Sequence, residues 1–177
     1  VFNEDTFGFS AGGQIVKDKL FFYLNFESFE QTYPSFYGPV GRGATDEAYY
    51  VTQALVDRVR ASASSLYGLD IGNYDSEQNN KSENTFLKLN YLINDNHEAE
   101  MSYIDTTSNL VKVRGNPPFG FALDSQWYDD RQGLEVVTTK LFSDWSDKLS
   151  TQVTYSTRTQ TDNQDPVRGD DMPSVSI

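Results

Sequence analysis

The residues best able to do chemistry in this chain are carboxylates. Glu98 and Glu100 stand two apart, Asp129-Asp130 and Asp170-Asp171 are adjacent, and Asp162 and Asp165 precede the last pair. Two carboxyl groups held roughly 5–9.5 Å apart can hydrolyse a glycosidic bond. With 26 acidic residues in 177, however, such pairs arise without selection for catalysis, and no catalytic residue is assigned. The Asp162–Asp171 spacing resembles a calcium loop but lacks its regular ligand pattern and closing Glu. Gly38-Pro39-Val40-Gly41-Arg42-Gly43 is glycine-rich but has no Lys-Ser/Thr to make it a phosphate loop, and reads as a flexible connection. Arg168-Gly169-Asp170 is too short to be read as an adhesion motif. A lone histidine, His97, and no cysteine leave no basis for a His-based triad, thiol catalysis or a thiolate metal site, and no cofactor is expected.

A second set of residues could bind rather than react. Tyr33, Tyr37, Tyr49, Tyr50, Trp127 and Tyr128 lie in stretches between regular elements, where aromatic rings stack on sugars or chelators or else pack on one another. Both readings stay open from sequence. The formal charge of -12 argues against a nucleic-acid partner, which normally meets a basic surface.

The elements that must position these residues are strands. Apolar and polar residues alternate with a period of two. Leu20, Phe22, Leu24 and Phe26 share one face, while Tyr23, Asn25, Glu27 and Gln31 share the other with Phe21 and Phe29. Leu87, Leu89 and Tyr91 repeat the pattern, as do Ala99, Met101 and Tyr103 against Glu98, Glu100 and Ser102. Lys17-Asp18-Lys19, Asn94-Asp95-Asn96 and Ser143–Asp147 supply turn chemistry. The expectation is about six strands in three hairpins, over about 6–32, 84–106 and 134–161. Between them run connections of about 33–83 and 107–133, well beyond ordinary loop length. The first should hold a helix over about 46–66, with Asp46 and Glu47 in its first turn, Val51, Leu55, Val59 and Leu66 on one side and Gly68 as its stop. The second is rich in Gly, Pro and aromatics from Gly115, and a polar tail follows from Asp162.

Short turns at one end and long connections at the other suit an antiparallel up-and-down transmembrane β-barrel segment, whose long loops are extracellular. Strands of about 9–11 residues cross a bilayer, and Trp and Tyr collect at its interfaces. That would account for an aromatic content of 14% in a chain with mean hydropathy -0.58 and no apolar run of transmembrane-helix length. Leu20, Phe22, Leu24, Phe26, Leu87, Leu89 and Tyr91 are then lipid-facing, and Trp145 belongs to the interface girdle on the turn side. The alternative is a soluble or surface-exposed, non-enzymatic β-domain that binds glycan or protein and buries those residues in a sandwich.

Gly12-Gly13-Gln14-Ile15-Val16-Lys17-Asp18-Lys19-Leu20-Phe21-Phe22-Tyr23, with Asn25-Phe26-Glu27 behind it, resembles a hallmark of TonB-dependent outer-membrane receptors. The likeness is greatest to the Oar-like subgroup, where Pro usually stands at the place of Gln14. Thr52–Val59, Tyr67-Gly68-Leu69-Asp70, Ile93–His97 and Ser143-Asp144-Trp145 are similar to the same subgroup. The resemblance implies a barrel of about 22 strands with a plugged lumen in a bacterial outer membrane. It also implies uptake of an iron chelate, cobalamin, glycan or peptide, driven by a TonB complex through the plug. Neither plug nor TonB box is visible in residues 1–177, which are therefore expected to be a partial barrel, a mature segment or excised fragment opening at Val1.

Overall fold

The computed structural model describes residues 2–113 and 120–172. Six long strands form one antiparallel sheet: β1 (Asn3–Val16), β2 (Leu20–Tyr33), β5 (Gln78–Asn94), β6 (His97–Lys112), β7 (Tyr128–Ser146) and β8 (Leu149–Pro166). Their spatial order is β1-β2-β5-β6-β7-β8, so every strand pairs with its predecessor among the long strands. Between β2 and β5 lie β3 (Tyr37–Pro39), β4 (Asp46–Ala48) and helix α1 (Gln53–Tyr67), with β3 and β4 forming a two-stranded parallel sheet. A 3-10 turn (Asp124–Gln126) precedes β7.

The three hairpins close in the same way. Lys17-Asp18-Lys19 turns with Asp18 in the left-handed region (φ 55°), which an Asp side chain tolerates, and Lys19 N–H donates to Val16 O at 3.1 Å. In each hairpin the register slips just before the turn, around Ile15, Ile93 and Trp145. Each of these is the penultimate residue of its hairpin's first strand, and each is exposed. Such bulges raise local twist and are common at barrel rims.

The strands run further than alternation suggested, into Gln78–Asn84 at one end and Asp162–Pro166 at the other. Asn, Ser and Asp are poor strand formers on their own, but backbone pairing with an established neighbour carries the ladder through them. The segments joining the hairpins therefore shrink to 34–77 and 113–127. Most of the Gly- and Pro-rich run, residues 115–119, lies outside the described residues.

The helix needs a larger correction. It starts at Gln53, not near Asp46, because Thr52 is its N-cap: the Thr52 backbone is extended and Oγ1 accepts from Leu55 N–H at 3.2 Å. Asp46 and Glu47 sit in β4, and the first turn contains no acid. Gly68 does end the helix. Its buried side is Val56 and Ala63 with Val59 beside them, whereas Leu66 is 72% exposed.

The buried apolar cluster is Ala48, Val51, Val56, Ala63, Ile71, Tyr74, Phe121 and Leu123. Among the described residues no long strand contributes a buried apolar side chain to it. The sheet instead carries a continuous apolar band on one face, while Phe21, Phe29, Phe86, Ile104 and Val136 lie on the other. Cross-strand pairing aligns Ala11 with Leu24, Leu24 with Leu87, Leu87 with Tyr103, Tyr103 with Val137 and Val137 with Thr157. Phe9–Phe26, Phe22–Leu89–Met101 and Tyr91–Ala99–Leu141–Val153 fall on the same side. Seven residues from Leu20 to Phe26 make this band about 20 Å long along the strand at ~3.3 Å per residue. All six strands lie in one sheet, so the hairpins do not pack against one another as a sandwich. Among the described residues no helix is long and apolar enough to cross a membrane, a statement that does not concern strands.

Candidate functional site

On the face opposite the apolar band, Glu100 is the centre of an ion cluster. Lys88 Nζ is 2.8 Å from its Oε2 and Lys140 Nζ 2.9 Å from its Oε1. Glu98 shares the face and accepts from Asn90 Nδ2 at 2.7 Å. The pair is thus brought together, but Glu100 is clamped as an anion by two ammonium groups. Glycoside hydrolysis needs one ionised and one protonated carboxyl, and the two ion pairs suit Glu100 to the ionised role alone.

The Asp129–Asp130 pair separates. Asp130 is buried and sits 3.7 Å from Lys112 Nζ, while its neighbour Asp129 points to the other face, 3.6 Å from Arg131. Arg131 also holds Asp165 at 3.1 Å. Among the described residues no three His, Cys, Asp or Glu side chains come together as a metal site.

The densest polar site was not foreseen from sequence. Asp124 is buried, and Arg168 grips it with both arms: Nε donates to Oδ1 at 2.6 Å and Nη2 to Oδ2 at 3.2 Å. Nη1 of the same guanidinium donates to Asp70 Oδ2 at 2.9 Å. Ser76 Oγ also donates to Asp124 Oδ2, and Asn73 N–H to Oδ1 at 3.2 Å. Gly72 makes this possible. It has φ +77°, and a Cβ there would lie 1.5 Å from Asp124 Oδ1. Arg168 therefore ties the 70–76 segment and the turn before β7 to the exit of β8, and its side chain is not displayed for recognition. Asp70 is held below the usual carboxylate range by the Gly72 N–H and then by Arg168. Nothing in the sequence joins residues 44 and 98 positions apart.

The glycine-rich loop is ordered for a related reason. Gly41 and Gly43 both have positive φ, and their N–H groups donate to Glu47 at 3.0 and 2.7 Å. Successive amides turned inward make an anion nest, and here the chain's own carboxylate fills it. Those amides lower the pKa of Glu47, Gly41 foremost.

The six aromatic candidates do not form one cluster. Tyr33 stacks on Phe36 with centroids 5.7 Å apart, and its hydroxyl accepts from Asn80 at 3.3 Å. Tyr37 is half-buried on β3. Tyr49 and Tyr50 meet edge-to-face at 5.2 Å, with Tyr49 74% exposed. Trp127 is only 2% exposed, so its ring does not join the surface tyrosines. It lines a cavity with half-buried Tyr128, at the start of β7. At the far end of the sheet, Trp145 is 61% exposed, stands 5.1 Å from His97 and donates to Thr151 Oγ1 at 2.9 Å.

Compared with known proteins, the chain matches no family model, no curated protein and no solved structure.

Proposed function

We propose that this chain is part of the barrel of a TonB-dependent outer-membrane transporter of Oar-like type, with its apolar band toward lipid and its Lys88–Glu100–Lys140 face toward the lumen. The observation that carries the reading is the inversion of burial. A six-stranded sheet keeps an apolar band open along all its strands, while the buried apolar cluster lies in the segments at one end. In water such a face would be a large exposed patch, which soluble monomers avoid. In a bilayer it is matched to its solvent.

Two further features support it. The three bulges set Ile15, Ile93 and Trp145 at equivalent places beside the tight turns, where an interfacial girdle belongs. The edges β1 and β8 are exposed throughout, and long unprotected edges are a hazard unless further strands pair with them. Barrel closure by neighbouring strands would meet that need. In this reading segments 34–77 and 113–127 face the cell exterior, a scarce small ligand or peptide enters there, and a TonB complex acts through a plug in the lumen.

The test is insertion. The intact parent protein should stay folded and monodisperse only in detergent or lipid, and should resist protease in vesicles along β1, β2 and β5 to β8. A folded, monodisperse preparation without detergent would overturn the reading.

A further inference from the structure

The apolar band does not run along the rungs of the sheet. At the end nearer segments 34–77 and 113–127, its last apolar residue is Phe7 on β1, Phe26 on β2, Leu87 on β5, Tyr103 on β6, Val137 on β7 and Tyr155 on β8. Beyond each, the next residue on that face is polar. Cross-strand pairing carries Phe7 through Ser28, Glu83, Thr107 and Gly133 to Thr161, six residues beyond Tyr155. The limit thus shifts by six residues across the five spacings from β1 to β8. At ~3.3 Å per residue and ~4.8 Å between strands, it crosses the rungs at about 40°.

The tight turns step in the same direction. The first hairpin closes at Val16–Leu20, in the row that continues through Tyr91, Ala99, Leu141 and Val153. The second closes at Asn94–His97, two residues past Ala99 on β6, and the third at Ser146–Leu149, four past Val153 on β8. A step of one residue per strand is an incline of about 35°. Side-chain polarity sets one of these lines and chain reversal the other, and the two run nearly parallel.

The row through Phe9 and Phe26 shows what the incline does. Asp105 and Glu135 stand side by side on that same row, on β6 and β7. A boundary drawn along the rungs either puts two adjacent carboxylates into an apolar medium or leaves two stacked phenylalanines outside it. An inclined boundary divides them. A straight limit across six strands, with the turns parallel to it, is the trace of a flat medium, and a bilayer is one.

We propose that the sheet meets lipid along a strip inclined at about 35–40° to its rungs, with Phe7, Phe26, Val137 and Tyr155 near one depth. Asp105, Glu135 and Thr161 then lie beyond the hydrocarbon, at headgroup level or in water. The inference rests on the transporter reading and adds which residues of each strand meet hydrocarbon. Tyr103 and Tyr155 at its limit suit an interface, where the ring is buried and the hydroxyl hydrated.

Residues 1–177 contain no cysteine, so single nitroxide-labelled cysteines in the intact parent protein, held in lipid vesicles, report the depth of each position. Depth is read from collisions with oxygen, which concentrates in hydrocarbon, against collisions with a water-soluble nickel chelate. Labels at Phe7→Cys, Val137→Cys and Tyr155→Cys should agree in depth to within ~5 Å. A label at Thr161→Cys, on the row of Phe7, should lie ~15 Å further out and meet the chelate freely. Equal depths for Phe7 and Thr161 would overturn the incline and leave the transporter reading standing. Chelate contact as free at Phe7, Val137 and Tyr155 as at Thr161 would sink both. Immobile labels that meet neither reagent would put a protein partner on this face and end the inference. Infrared dichroism of the unsubstituted protein in oriented bilayers needs no label: a mean strand tilt of about 35–40° is expected, and strands along the membrane normal would overturn the inference.

Discussion

The sheet and the cap built from segments 34–77 and 113–127 solve opposite problems. The cap has a buried apolar cluster, a capped helix and a bidentate Arg168–Asp124 pair. The sheet has long ladders and a bulge in each hairpin, but its apolar band is covered by no other element among the described residues. The cap thus carries its own interior, while the sheet depends on what surrounds it. One chain holding both is what the transporter reading proposed above would require.

The contrast is broken most sharply by a charge on the apolar face. Leu24→Lys and Leu89→Lys should each destabilise the protein in lipid vesicles by about 2–4 kcal/mol if these positions lie near the bilayer midplane. Asn25→Lys, one residue along β2 and on the other face, should cost far less. Denaturant titration in vesicles measures all three. Equal costs for Leu24→Lys and Asn25→Lys would mean that the two faces meet the same medium.

The converse change strikes the cap alone. Asp124→Ala removes a buried acceptor of four donors from Arg168, Ser76 and Asn73, and leaves the guanidinium with Asp70 as its remaining carboxylate partner. Hydrogen bonds to charged groups contribute about 1.5–3 kcal/mol. A loss of about 2–3 kcal/mol in protection is therefore expected across residues 70–76, with exchange in β5 and β6 unchanged. Thr52→Ala is a milder form of the same experiment. Losing the N-cap acceptor for Leu55 N–H should cost α1 about 1 kcal/mol, read as faster amide exchange in its first turn. If either substitution also loosened β5 and β6, cap and sheet would be one cooperative unit.

Physical range explains what the sequence made legible. The hairpins could be read because alternation and turn chemistry are local: Leu20 to Phe26 share a face whatever lies beyond them, and Lys17-Asp18-Lys19 turns by its own means. Strand ends were underestimated because Asn79, Asn80 and Asp162 lack strand propensity and are held by neighbours. The helix start was misplaced because Asp46 and Glu47 look like first-turn acids, while Thr52 is the residue that caps. Glu47 has another task, closing the loop of Gly41 and Gly43. The Asp70–Asp124–Arg168 site was illegible because only the folded chain brings those residues together. Gly72 was its one local trace, and a glycine in a polar stretch carries no partner's name.

The smallest expected effect separates the regions by pH. Asp70 and Glu47 both have folded pKa values below the ordinary carboxylate range, Asp70 through the Gly72 N–H and Arg168, Glu47 through the amides of Gly41 and Gly43. A depressed carboxylate binds protons less readily when folded than when unfolded. Its contribution is present above the unfolded value, near pH 4, and fades as pH falls through the folded value. Asp70 is exposed and Glu47 only half-buried, so the effect is modest. Between about pH 6 and pH 3, exchange protection should therefore fall in the 38–47 and 70–76 segments. Asp70→Asn and Glu47→Gln should start lower at neutral pH and lose most of that dependence, each in its own segment. A flat profile in the unsubstituted chain, or an unchanged slope after both substitutions, would mean that these carboxylates do not hold the cap closed.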